Sequence, residues 1–137
     1  MKEIAIQASC TRETCVTEDL IASRVGSGSV DVYATPMMIA LMEKAASELL
    51  VPYLDEGETS VGIHMDATHD AATPQDMKVS ATAVVTAVDR RKVIFSITAR
   101  DEKDTQGGLT NLNLSAAASP SVGNWIDCLR NSTYDEN

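Results

Sequence analysis

The sequence predicts an α+β domain in which an antiparallel sheet wraps one long central helix. Three observations predict it. The chain of 137 residues fits a single core. It contains one strongly helical segment, and three consecutive segments with strand character follow that helix.

In chain order, residues 3 to 10, "EIAIQASC", alternate in polarity and give a weak first strand. The glycines of "GSGS", residues 26 to 29, lack the Gly-Lys-Ser/Thr of a phosphate-cradling loop and read as a flexible connection. The helix spans residues 36 to 50, with Thr35 as its N-cap and Pro36 at its first position, where a missing N–H costs nothing. Val51-Pro52 ends it. Residues 60 to 69, 77 to 88 and 92 to 100 are rich in Val, Ile and Thr and read as strands, the last two joined through Asp89-Arg90-Arg91. Residues 107 to 118 supply a poor final strand. The domain therefore covers residues 1–118, and residues 119–137 form a polar, divergent tail.

Composition narrows the function. The chain is 44% hydrophobic and 23% charged, and it has no apolar run approaching the roughly 20 residues that span a bilayer, so no membrane association is expected. The start, "MKEIAIQASC", lacks the apolar core of a secretory signal, which makes a cytoplasmic location the expectation. A net charge of −9 opposes binding to nucleic acid, and the densest basic run is only "DRRK", residues 89 to 92. A small anionic ligand stays compatible with that charge, because a local pocket can be positive on an acidic protein. Cys10, Cys15 and Cys128 have no zinc-like spacing and read as reduced thiols; no metal site is expected.

Glu43 interrupts an otherwise apolar helix, and an unpartnered buried carboxylate costs several kcal/mol. It shares a stripe with Pro36, Ile39 and Ala40. Spacing alone leaves two readings open, a solvent-facing edge or a carboxylate held for chemistry. The histidines separate by strand parity. In a regular strand, Val61, Ile63, Met65, Ala67 and His69 share the more apolar face, while Gly62, His64, Asp66 and Thr68 share the other. A bulge would reverse that assignment. An inward His69 is either a satisfied core residue or one half of an acid/base pair with Glu43.

The stretches "ATPMMIALMEKAA" and "SVGIHMDATHDAATPQDMKVSATAVVTAVDRRKVIFSITARDEKD" together resemble the hotdog-fold thioesterases of the fluoroacetyl-CoA thioesterase type. The resemblance runs from about residue 29 to residue 104. It makes Thr35, Glu43 and His69 the catalytic set. Gly62, on the strand beside the active site, and Pro36, at the helix start, are the substrate-binding candidates.

The resemblance also implies an acyl-CoA substrate bound at the subunit interface of a homodimer or dimer of dimers. No separate cofactor is needed, because coenzyme A is part of the substrate. The implied reaction is hydrolysis of a small acyl-CoA to free acid and CoA. Thr35 either attacks or positions water, and His69 moves protons. A hotdog hydratase or dehydratase and a noncatalytic acyl-CoA binder are the alternatives. "GSGSVDV" has no phenylalanine to serve as the aromatic lid associated with fluoroacetyl selectivity. After residue 104 the chain, "TQGGLTNLNLSAAAS", leaves the family pattern.

Overall fold

A computed structural model of the chain describes residues 1–69, 71–103 and 110–119. The tail proposed for residues 119–137 lies outside the described residues except for Ser119.

The elements are β1 (Ser9–Cys15), α1 (Ala22–Val25), α2 (Thr35–Leu50), β2 (Thr59–His69), β3 (Lys78–Asp89), β4 (Lys92–Asp101) and β5 (Thr110–Ser119), with short 3-10 turns at Glu18–Leu20 and Val51–Tyr53. The strands form one antiparallel sheet in the order β1-β3-β4-β5-β2. This is the expected sheet wrapped around a central helix.

The long helix forms because its apolar residues recur at helical spacing. Met38, Leu41, Met42, Ala45, Ala46, Leu49 and Leu50 are buried. The opposite side is not apolar in effect: Pro36, Ala40, Lys44 and Ser47 are exposed, so the sheet covers one face of α2 and leaves the other open. Thr35 is not the N-cap. The cap position is Ala34, Thr35 and Pro36 are the first helical residues, and no side-chain hydrogen bond caps the helix start among the described residues. The Thr35 hydroxyl is engaged elsewhere.

The inner face of the sheet is written in alternation. Val93, Phe95, Ile97 and Ala99 of β4 are fully buried, flanked by Ala81, Ala83 and Val85 on β3 and by Leu112, Leu114 and Ala116 on β5. Phe95 lies opposite Val85 on one side and Leu114 on the other. Truncating this central side chain removes a large buried volume that small neighbours such as Ala83 and Ala99 cannot refill. Phe95→Ala should therefore cost about 3–5 kcal/mol in a urea titration. A midpoint unchanged from wild type would contradict this core.

The first strand falls later than residues 3 to 10. Ile4 is buried as a single anchor, Gln7 adopts a left-handed φ of 74°, and pairing begins only at Ser9. Charged and polar residues fill β1, as suits an edge strand. Arg12 on β1 pairs with Glu48 on α2. The final strand does form, from Thr110 onward, because Leu112, Leu114, Ala116 and Ala118 put an apolar side chain inward at every second position.

Parity along β2 is not uniform. The register against β5 shifts between Gly62 and His64, so Ile63 is an extra residue in the ladder. Ser60 and Gly62 lie opposite the inward Ala118 and Ala116, and beyond the bulge Met65 and Ala67 lie opposite the inward Leu114 and Leu112. Gly62 and His69, expected on opposite faces, therefore share the helix-facing one.

Candidate active site

The start of α2 is fixed beside the end of β2 by short backbone ties. Ile21 bridges Tyr33, Val32 bridges Pro74, and the Tyr33 N–H donates to the Thr73 carbonyl at 2.7 Å. These ties bring together the chain before the helix and the chain after β2. The Thr35 hydroxyl and His69 Nδ1 consequently lie 2.6 Å apart in a hydrogen bond.

His69 is half-buried, and its Nε2 is buried with no hydrogen-bond partner among the described residues. A buried orphan nitrogen is costly unless something completes it. One ring nitrogen is thus committed to a hydroxyl, and the other waits for a partner. His64 is exposed and lies opposite Ser115, outside this arrangement.

A cleft of about 350 Å³ opens over the pair, lined by Thr35, His69, Tyr33, Val30, Gly28 and Ala72 among others. The loop read from sequence only as flexible thus forms one wall. Tyr33 is 2% exposed, donates its hydroxyl to the Met37 carbonyl at 3.2 Å, and is pushed by burial to a pKa of about 12. It stays neutral near pH 7 and is a wall, not an acid/base group.

Glu43 is not part of the Thr35–His69 pair within one chain. It lies about 12 Å further along the helix, at about 1.5 Å of rise per residue. There it faces Gly62: a Cβ added to Gly62 would lie 3.5 Å from Glu43 Oε2 and 3.4 Å from Leu114 Cδ1. Glycine keeps the strand surface open beneath the carboxylate. Glu43 and Gly62 line a second cleft of about 320 Å³, with Lys44, Leu50, Ser60 and Ala116. Glu43 is half-buried and forms no ion pair among the described residues. Pro36 is exposed and lines neither cleft, so it has no observed role beyond shaping the first turn of α2.

No cluster of His, Cys, Asp or Glu among the described residues is arranged to hold a metal ion. No described helix is long and apolar enough to cross a membrane. Cys10 and Cys15 are free thiols, and Cys128 lies outside the described residues.

The sequence pattern that defines the fluoroacetyl-CoA-specific thioesterases (FlK) matches residues 16–108, more than half of the chain. The chain belongs to that family. Within this fluoroacetyl-CoA-specific thioesterase family, a fluoroacetyl-CoA thioesterase of Streptantibioticus cattleyicolor is 38% identical over 81 residues, covering 59% of this chain and 58% of the relative's own length. The match thus spans less than two thirds of that relative. A solved variant of FlK in complex with fluoroacetate and CoA superposes with a TM-score of 0.76 at 26% identity, covering 85% of this chain and 95% of that one. A Thermus thermophilus protein described as a thioesterase superfamily member gives a TM-score of 0.83 at 25% identity, covering 99% of this chain and 100% of that one. The fold is the hotdog fold.

Proposed function

We propose that the protein is an acyl-CoA thioesterase, releasing a small acid and free CoA at a site completed by two copies of the chain. The observation that carries this reading is the Thr35–His69 hydrogen bond, with its second ring nitrogen buried and unpartnered among the described residues, in a chain of this family.

Hydrolysis of a thioester needs a nucleophile, a proton carrier and a group that orients the carrier. With Thr35 donating to His69 Nδ1, the ring takes the hydroxyl proton as the oxygen attacks the carbonyl, and it returns that proton to the departing sulfur. Water then discharges the acyl-threonine with the same histidine as base. In this tautomer Nε2 carries a proton and calls for an acceptor. A carboxylate fills that role best, and the Glu43 of the same chain is about two helical turns away.

A second copy supplies it. Among the described strands β2 is an edge strand, hydrogen-bonded only to β5, and it exposes Val61, Ile63 and Met65. The other edge, β1, carries Arg12 and Glu13. An open edge with apolar side chains is the edge that natural sheets cover. Antiparallel joining of two β2 strands about a two-fold axis near Met65 and Asp66 sets the Gly62 end of one copy beside the His69 end of the other. Each Glu43 then approaches the partner copy's histidine, and the uncovered side of α2 is enclosed. We place the homodimer, or a dimer of dimers, in the cytoplasm, where free thiols persist and CoA thioesters occur.

A panel of short acyl-CoA substrates read by thiol release tests the activity. Hydrolysis frees a thiol, whereas hydration of a double bond and simple binding do not. Light scattering on the same preparation should give at least twice the 14.6 kDa of one chain. An active monomer at micromolar concentration would sink the shared site, and binding without thiol release would sink the hydrolase.

A further inference from the structure

The cleft containing Glu43 has a feature that the chemistry of hydrolysis does not use: one end leads toward the densest basic run in an acidic chain. The cleft is lined at that end by Ser60, Leu50 and Ala116. Ser60 lies opposite Ala118, and the Ala118 N–H donates at 2.9 Å to the carbonyl of Arg91 in the β3–β4 hairpin. The hairpin tip is therefore at the same end of the sheet as this mouth of the cleft. The Thr35–His69 pair lies at the opposite end, where His69 faces Thr110.

Arg90, Arg91 and Lys92 are all exposed, and Arg90 holds a turn conformation with φ of 57°. Lys44, on the exposed side of α2, lines the cleft itself. None of these cations forms an ion pair among the described residues. Nearby carboxylates are partly accounted for: at the turn leading into β2, Asp55 and Glu58 both bind the chain's N-terminal ammonium, at 2.7 and 2.8 Å, while Asp89 and Glu56 remain exposed. Uncommitted cations clustered on a chain of net charge −9 are a local exception to its field.

We propose that Arg90 and Arg91, with Lys44, receive the phosphates of coenzyme A, and that the cleft beside Gly62 carries the pantetheine arm from them toward Glu43. The proposal rests on the acyl-CoA reading and sharpens it. The acyl carrier is the free nucleotide, recognised by its phosphates, and not a carrier protein. Arginine forks suit terminal phosphate groups, and a channel floored by glycine and small residues suits a narrow, flexible arm.

The test is the double variant Arg90→Gln/Arg91→Gln, alongside Lys44→Gln, each first shown to unfold at the wild-type temperature. Removing exposed phosphate contacts should raise KM for the best acyl-CoA about 10-fold or more, with kcat held and the salt dependence of KM flattened. The KM for the matching acyl-pantetheine, which has no nucleotide, should stay where it was. Calorimetry with adenosine 3′,5′-bisphosphate gives a readout independent of hydrolysis, and its affinity should fall by the same factor. Unchanged affinity for that nucleotide in the double variant would overturn the proposal. So would an equal rise in KM for acyl-pantetheine, or a loss confined to a carrier-protein thioester. If the wild type released no thiol at all but bound the nucleotide through these arginines, the thioesterase reading would fall and the phosphate site would stand.

Discussion

His69→Ala should lose about 10²- to 10⁴-fold in the rate of thiol release, the usual cost of removing a general acid/base group. The reason is local. His69 Nδ1 is 2.6 Å from the Thr35 hydroxyl, so its removal leaves the proposed nucleophile without a proton acceptor. His64→Ala is the matched control, an exposed position on the same strand where replacement should change the rate little. Both variants must show wild-type-like thermal unfolding, because half-buried His69 also packs. Equal rates in two well-folded proteins would remove His69 from the mechanism. A larger loss at His64 would mean that β2 is phased differently from the register described above.

Glu43→Gln should be nearly as damaging, and the pattern of rescue is more telling than the loss. Glutamine preserves shape and removes the negative charge, so the fold should persist while turnover falls by about 10²-fold or more. If Glu43 serves the partner's histidine, the two defects lie in different halves of each composite site. Mixing Glu43→Gln with His69→Ala chains after dissociation and reassembly should then generate mixed dimers with one intact site. Random assortment would restore about a quarter of wild-type activity. Absence of rescue, in mixtures shown by native mass spectrometry to contain heterodimers, would place the carboxylate in the same chain's chemistry or outside the chemistry altogether.

The helix and the strands β3 and β4 were legible in the sequence because one period dominates each: 3.6 in α2, and 2 along β4 and along β3 as far as Val85, where the register shifts. His69 was correctly placed inward for the same reason. Gly62 was not. Parity counting carried it to the wrong face, since the extra residue Ile63 is an ordinary β-branched side chain and leaves no compositional mark. The first strand was displaced because "SCTRETC" pairs through its backbone while offering no apolar alternation. Thr35 looked like an N-cap by residue type, yet its hydroxyl has a better partner across the fold, one that no local rule can see. The separation between Thr35 and Glu43 was implicit in the numbering, but its meaning needs a sheet with an open edge.

The bulge at Ile63 acts as a phase shift between two lengths of one strand. It allows the glycine beneath Glu43 and the histidine beside Thr35 to be set independently, as two teeth on a comb can be moved by inserting a spacer. Pairing Ile63 into the ladder would join the halves into one regular pleat, with the opposite result. With the His69 half still held against β5, the upstream half would slip by one residue and turn over: Gly62 would face outward and Ile63 would take its place opposite Ala116, beneath Glu43. A branched side chain would then fill the space that glycine keeps empty. A chain shortened by Ile63 alone leaves Gly62 opposite Ala116 and His64 opposite Ser115, and should keep glycine beneath the carboxylate.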